Sequence, residues 1–381
     1  MDIGLIRMKY TPYGGAEVFV SRFIDELLKK GHKCHIFATN WNRDTREAVV
    51  LHKIRTFGPS FLRILSFAVN SYFAVRKANL DVILSFDRTF YQDIYRAGDG
   101  CHREWLIQRG KLISPLKRFI TFLNPLHLII LYLEKRLLKD KRLKFIVANS
   151  IRGKDEIKRH YKLPEDKICV IYNGIDIKAF DLIDKNNIRT VYREKLNIKN
   201  ETTLLFVGSG FERKGLKFLI EALGILKKNG YEGIKLIVVG KGNIAKYKDM
   251  SVKCGVEADV KFIGPAKDIN PYYCAADIFA LPSIYEPFSN ACLEAMASGL
   301  PVVTSRINGA SEILTHGKDG MIINDPVNPE EIAERIKPLL DERARQTAGK
   351  EARRTVENYT IGKNVDEFIK LIEKVKCAEG R

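Results

Sequence analysis

The sequence predicts an α/β protein built as two units, each a parallel sheet covered by helices. Three observations carry that expectation. The chain has 381 residues, about twice a usual single-domain length, so two separate cores are expected. Short apolar runs alternate with helix-like patterns almost from end to end, as strand–helix–strand units with parallel sheets require. The alternation restarts after "YKLPEDKICVIYNGIDIKAF", which places the join near residues 165–180.

In the first unit "DIGLIRM" reads as a strand, "GGAEVFVSRFIDELLKKG" as a helix closed by Gly31, and "KCHIFATN" as the next strand, with "DVILSF" and "KFIVANS" continuing the series. In the second, "TLLFVGS" is a strand, "GLKFLIEALGILKKNG" a helix, and "IKLIVVGKG", "VKFIGPA" and "DIFALPS" are strands. A helix beginning around Ser289 and stopping at Gly299 follows, with Pro301 just beyond it, and then the strand "PVVTS". The last segment, "NVDEFIKLIEKV", sets Val365, Phe368, Ile369, Ile372 and Val375 on one helix face that fits against either unit. The expected division is 1–168 for the first unit, 169–360 for the second, and 361–381 for a terminal helix and tail. Ligands of open parallel sheets bind beyond the carboxyl ends of the strands, so two facing sheets would place a site in the cleft between them.

The formal net charge of +18 predicts attraction to polyanions: nucleic acid, an anionic membrane surface or a phosphorylated substrate. Aromatic-interleaved RNP strands, a KH loop and a zinc-finger pattern are all lacking, which argues against nucleic acid. The seven cysteines are scattered without a CxxC pair, favouring a reducing compartment over a zinc site or disulfide framework. "MDIGLIRMKY" is too short in its apolar run for a signal peptide. The longest apolar stretch, "LHLIILYL" from Leu126 to Leu133, falls well short of the roughly 20 residues a membrane span needs.

Between Arg103 and Lys144 stand eleven Lys or Arg against three Asp or Glu, interleaved with apolar residues. The segment reads as lying on an anionic membrane surface, with a pair of packed helices exposing solvated charges as the alternative.

Three stretches carry chemistry. In "LLFVGSGFERKGLKFLIEAL" a strand ends at Gly208, Gly210 permits a tight turn, Arg213 and Lys214 follow, and Gly215 opens a helix whose free N–H groups favour an anion. The pattern is neither GxGxxG nor GxxxxGK[ST], so dinucleotide binding and ATP hydrolysis lose support; a glycine-rich turn with solvated charges is the plainer alternative. In "KYTPYGGAEVFV", Gly14 and Gly15 allow backbone amides close to a ligand, or simply make a βα turn. In "SIYEPFSNACLEAMASGLPVVTS", Glu286 precedes a helix and Glu294 lies on its second turn among Ala291, Cys292, Leu293, Ala295 and Met296. A carboxylate there needs hydrogen-bond donors, and vicinal sugar hydroxyls suit it; a surface glutamate on an amphipathic helix is the other reading.

These residues reach a known family. "EPFSNACLE" is an E-x7-E element, and with "YGGAE", "FIVANS", "YNGID", "VGSGFERKG", "VVGKG" and "EAMASGLPVV" it resembles the retaining GT-B glycosyltransferases of family GT4 (glycosyl transferases group 1) over nearly the whole chain. Within that family "YTPYGGAE", "GSGFERKG" and "IYRAGDGCHREW" are most similar to the lipopolysaccharide core heptose glucosyltransferases.

The resemblance implies a GT-B fold of two Rossmann-like domains facing across a cleft, an acceptor-binding first domain and a nucleotide-sugar-binding second. It implies that Glu294 binds the donor ribose, that Glu286 holds hydroxyls of the transferred sugar, and that Arg213 and Lys214 stabilise the departing diphosphate. Phe288, Ser289 and Asn290 would offer backbone amides, Gly14, Gly15 and Gly208 would lie against the donor, and Gly240, Ile263 and Gly264 would flank the nucleobase. Asp99, with His102 as a second candidate, would orient or deprotonate the acceptor hydroxyl.

Two departures stand out: Pro287 replaces a residue often Gly or Ala, and Gly98 and Gly100 loosen the setting of Asp99. No DxD-like element or ligand-spaced His or Cys cluster is present, so the expected reaction uses no metal and no cofactor beyond its nucleotide-sugar co-substrate.

The expected function is transfer of a hexose, glucose from UDP-glucose first, with retention, onto a lipopolysaccharide-core or related glycolipid sugar. The expected place is cytoplasmic, peripheral on the inner face of the cytoplasmic membrane. Alternatives are a mannosyl or N-acetylhexosaminyl transferase on a lipid-linked sugar or polysaccharide precursor, a nucleotide-sugar epimerase and, distantly, a nucleic-acid-binding protein.

Overall fold

The computed structural model describes residues 1–9, 15–41 and 48–378, with the backbone alone for 15–18 and 378. The chain divides into two compact units, residues 1–174 with 361–381, and residues 175–360.

In the first unit strands β1 (Asp2–Ile6), β2 (Lys33–Ala38), β3 (Val49–Lys53), β4 (Val82–Ser85), β5 (Ile94–Arg96), β6 (Phe145–Ala148) and β7 (Ile168–Val170) form one sheet in the order β3-β2-β1-β4-β5-β6-β7. Every pairing is parallel. Ile3, Leu5, Val82 and Leu84 are buried on one face and Ile6, Ile83 and Ile146 on the other, the signature of strands covered on both faces. Strands β3, β5 and β7 and the helix Ser60–Lys77 are absent from the sequence reading. Two of those strands have only three residues, too few for a periodic signal, and β3 is a half-exposed edge.

The boundary between the units falls at 174/175 instead of 168/169. The cause is β7, which pairs with β6 and so takes residues 169–174 into the first unit. The terminal helix Ile361–Ala378 also belongs there. Val365, Phe368 and Ile372 are fully buried in the first core, and the Phe368 ring meets Phe23 edge-on at 5.1 Å. Burying each such side chain contributes about 1.5–3 kcal/mol.

Three further helices of this unit are His102–Gly110, Pro115–Leu123 and Pro125–Leu138. Among the described residues no single helix is long and apolar enough to cross a membrane. The last two pass that test only when taken together, and they bend by 63° at their junction. Pro125 starts the second of them, and Asn124 caps it by accepting the Leu126 N–H at 2.9 Å.

The second unit is a six-stranded parallel sheet. Its strands are β8 (Thr202–Val207), β9 (Ile234–Val239), β10 (Val260–Gly264), β11 (Ile278–Leu281), β12 (Val302–Ser305) and β13 (Gly320–Ile323), ordered β10-β9-β8-β11-β12-β13. The order reverses between β8 and β11, so the carboxyl ends of those two strands form the switch point where ligands of such sheets bind. Helices Leu216–Lys228 and Asn290–Ala297 follow β8 and β11.

Candidate active site

The second unit brings Arg213, Lys214 and Glu286 together at that switch point. Gly208, just beyond β8, has φ +147°, and a Cβ on it would stand 2.5 Å from Lys214 Cδ and Cε. Only glycine lets the Lys214 chain lie across the strand end. Gly215 (φ +74°) caps the helix Leu216–Lys228 and would drive a Cβ into the Pro282 carbonyl beyond β11. Ile284 donates its N–H to the Arg213 carbonyl at 2.9 Å, and Arg213 Nη1 donates to the Tyr285 carbonyl at 3.2 Å. The two loops are therefore one structure.

Glu286 sits at their meeting point. Its Oε2 is 3.0 Å from Lys214 Nζ and 3.1 Å from Arg213 Nη1, near enough for ion pairing with both. Burial pushes this carboxyl up, but Lys214 and then Arg213 overcome it and hold it below its ordinary value. The nearby Ser283 hydroxyl is buried without a hydrogen-bond partner, and that of Ser289 meets only the Cys292 thiol. Buried polar atoms left in this state are what a polyhydroxylated, anionic ligand would satisfy.

Asn308, fully buried, holds the loop from below. Its Oδ1 accepts the N–H groups of Ser289 and Ala310, both at 3.1 Å, and its Nδ2 donates to Thr304 Oγ1 at 2.9 Å. This corrects one expectation: the Ser289 amide is taken by Asn308, because the loop needs an internal brace. Phe288 is buried and Asn290 is half-buried at the first helical position.

Glu294 is half-buried on the second turn, and Tyr273 donates its hydroxyl to Glu294 Oε2 at 2.8 Å. Tyr273 is itself fully buried, with Phe180 and Phe279 as ring neighbours, so it fixes the rotamer of the carboxylate. At the carboxyl ends of β9 and β10, Gly240 donates its N–H to the Gly264 carbonyl at 2.9 Å, with half-buried Ile263 alongside.

In the first unit Gly14 lies outside the described residues, and Gly15 opens the helix Gly15–Lys29. Asp99 is exposed on the loop after β5. The glycines beside it do not leave that loop loose: Asn149 Nδ2 donates to the Gly98 carbonyl at 3.2 Å, and Arg88 Nη2 to the Gly100 carbonyl at 2.8 Å.

Arg88 is held in turn by Glu134, a buried carboxylate on the helix Pro125–Leu138. Glu134 Oε2 also accepts the His102 N–H at 2.9 Å, and Oε1 accepts the Tyr161 hydroxyl at 2.6 Å. Burial pushes the Glu134 carboxyl up, yet Arg88 and these donors keep it below its ordinary value. His102 Nε2 lies 3.1 Å from His127 Nδ1, and burial, reinforced by Arg88, lowers His102 to about 4. That imidazole is neutral at pH 7.

Tyr273, Asn308, Arg88 and Glu134 are absent from the sequence reading. Glu134 left a signal, since it shares a helix face with Leu133, Leu137 and Leu138 and thus falls inside an apolar stripe. Asn308 left none. Among the described residues no group of three or more His, Cys, Asp or Glu is placed to hold a metal ion.

Residues 13–179 match the family model described as "Glycosyltransferase Family 4", and residues 188–360 that described as "Glycosyl transferases group 1". The lipopolysaccharide glucosyltransferase WaaG of Escherichia coli (strain K12) is 25% identical over 352 residues, which cover 89% of this chain and 90% of that protein. A crystal structure of WaaG, described as a glycosyltransferase involved in lipopolysaccharide biosynthesis, superposes with a TM-score of 0.83 at 24% identity, covering 97% of this chain and 99% of the other. The structure of Anabaena Alr3699/HepE in complex with UDP-glucose superposes with a TM-score of 0.76 at 18% identity, covering 98% and 100%.

Proposed function

Since the chain belongs to glycosyltransferase family 4 and has the two parallel-sheet, Rossmann-like units of the GT-B fold, we propose that it transfers glucose from UDP-glucose, with retention and without a metal, onto a lipopolysaccharide-core or related glycolipid sugar. The observation that carries this reading is the buried Glu286 between Lys214 and Arg213, beside the unsatisfied Ser283 hydroxyl. Two cations fixed at a switch point are placed for a diphosphate, and a carboxylate among them is placed for the hydroxyls of the sugar it carries.

In the proposed reaction Glu294, oriented by Tyr273, accepts hydrogen bonds from the donor ribose. The bond from the anomeric carbon to the diphosphate oxygen breaks, and the electron pair leaves with that oxygen. Arg213 and Lys214 stabilise the charge that develops there, supplying what a metal ion otherwise would. The acceptor hydroxyl forms the new bond on the same face and gives its proton to the departing diphosphate oxygen, which holds the electron pair of the broken bond. Asp99, exposed on its braced loop, is better suited to orient that hydroxyl than His102, which is neutral, a weak base and engaged with His127.

A glycolipid acceptor requires approach to a membrane. In the helix Pro115–Leu123 no residue is buried, and Leu116, Phe119, Ile120 and Leu123 are 70%, 61%, 59% and 57% exposed on one face, spaced i, i+3, i+4, i+7. With the local excess of basic residues, that face suits an anionic bilayer surface, each Lys or Arg near it contributing about 1 kcal/mol.

The test is a transfer assay with EDTA present. UDP-glucose, UDP-galactose, UDP-N-acetylglucosamine, GDP-mannose and ADP-heptose are each offered with and without a heptose-terminated core glycolipid, and product anomers are assigned by NMR. Acceptor-dependent transfer of α-glucose from UDP-glucose is expected. Transfer from GDP-mannose alone, an absolute need for metal, or donor turnover without acceptor would each overturn the corresponding part.

A further inference from the structure

At the amino ends of the first unit's strands, on the sheet edge opposite to Gly98 and Asp99, lies a polar cavity of about 470 Å³. Arg76, Asn79, Asp81, Tyr91 and Arg142 line it, with Asp2 at the start of β1. Nothing in the proposed transfer reaction uses these residues.

Two guanidinium groups dominate it. Arg142 lies over the Tyr91 ring at 4.0 Å from its centroid, and Arg76 stands 5.9 Å from the same centroid, so their central carbons are at most about 10 Å apart. Both guanidinium groups therefore border the same tyrosine ring. Arg142 pairs with the buried Asp93 at 2.9 Å, but its Nε is buried without a partner. Arg76 donates to the Tyr72 hydroxyl at 2.7 Å and is otherwise exposed. The carboxylates in the cavity are already engaged: Asp81 by Lys376 at 3.1 Å and by the Asp2 N–H at 2.8 Å, and Asp2 by His35 at 3.0 Å. With Arg142 paired to Asp93, the positive charge left for a ligand is that of the exposed Arg76, and Arg142 adds its remaining N–H donors.

We propose that this cavity binds a phosphate monoester between Arg76 and Arg142. Planar guanidinium forks match phosphate oxygens, and a bound oxyanion would satisfy the orphaned Nε. The phosphate has two possible sources, a soluble ester or the headgroup of an anionic lipid. The surroundings favour the lipid. Arg76 ends the helix Ser60–Lys77, which packs against Pro125–Leu138, and both helices expose apolar side chains, Val69 and Phe73 on one and Leu128 and Tyr132 on the other.

The test titrates the full chain by calorimetry with glycerol 3-phosphate and, separately, with monomeric dihexanoyl phosphatidic acid. Arg76→Glu should weaken binding of both by about ten-fold or more, the worth of one charge-assisted hydrogen bond. Arg142→Lys keeps the charge facing Asp93, so it folds, and should also weaken binding through loss of the fork. The Arg76-dependent binding should persist in Lys214→Ala, which alters only the anion site of the other unit. Phosphatidic acid binding at least about ten-fold tighter than glycerol 3-phosphate assigns the cavity to a lipid headgroup, whereas equal affinities assign it to a soluble ester. Failure of wild type to bind either probe, unchanged binding by Arg76→Glu, or loss of binding in Lys214→Ala would overturn the proposal. None of these outcomes depends on glucosyl transfer.

Discussion

Lys214 Nζ and Glu286 Oε2 stand 3.0 Å apart, joining the connection after β8 to the connection after β11, and both residues are more than nine-tenths buried. A buried pair of this kind costs desolvation, and its persistence at a switch point is better explained by ligand chemistry than by stability.

Glu286→Gln leaves two cations facing a neutral amide. Activity should fall about 10²–10³-fold, and breaking the pair should destabilise the fold by about 3–5 kcal/mol. The pH dependence has a definite sign. The folded carboxyl lies below its ordinary 4.5, so its contribution to stability is present above about pH 4.5 and is lost as pH falls through the folded value. Melting temperatures of wild type and Glu286→Gln measured down the acid range should therefore converge.

Tyr273→Phe removes the hydroxyl that orients Glu294 and little else. The expected result is a donor KM raised by about 2–10-fold with kcat nearly unchanged, matching one neutral-to-charged hydrogen bond. A drop in kcat at constant KM would place Glu294 on the reacting sugar instead.

On the acceptor side Asp99→Asn should lower kcat by about 10-fold or more, the scale of one orienting charge-assisted hydrogen bond, while His102→Ala should cost far less. With His102 near 4, the pH–rate profile should show no limb between pH 6 and 7. An inflection there that His102→Ala abolishes would reverse the two roles.

Glu134→Ala strands Arg88 in the interior and frees the start of the helix His102–Gly110. A loss of about 3–5 kcal/mol is expected in denaturant melts. Glu134→Gln, which keeps the acceptor for the His102 N–H, should lose less.

Replacing Leu116, Phe119 and Ile120 together by Asp should abolish co-sedimentation with anionic vesicles without changing the melting temperature, because none of the three is buried. Wild-type association should weaken steeply with salt. Equal sedimentation of the variant would remove the membrane from the account.

How much of this the sequence revealed depended on the length and locality of each signal. The Arg213–Lys214 loop and the helix carrying Glu294 were legible because glycines and apolar runs within about twenty residues define a strand, a turn and a helix start. The terminal helix was legible as an amphipathic helix, but its choice of the first unit was not, since that rests on Phe368 meeting Phe23, some 340 positions away. Asn308 and Tyr273 were silent for another reason: each acts through side-chain hydrogen bonds to a neighbouring loop or helix, and neither sits in a periodic or glycine-marked pattern. The loop at Asp99 was misjudged as loose because its braces, Arg88 and Asn149, come from other strands' ends.

The most direct test is calorimetric binding of UDP-glucose in EDTA to wild type, Glu294→Ala and Lys214→Ala. The account predicts metal-free binding to wild type that Glu294→Ala abolishes and Lys214→Ala weakens by at least about ten-fold. Unaltered binding in both variants would contradict it and move the donor site elsewhere.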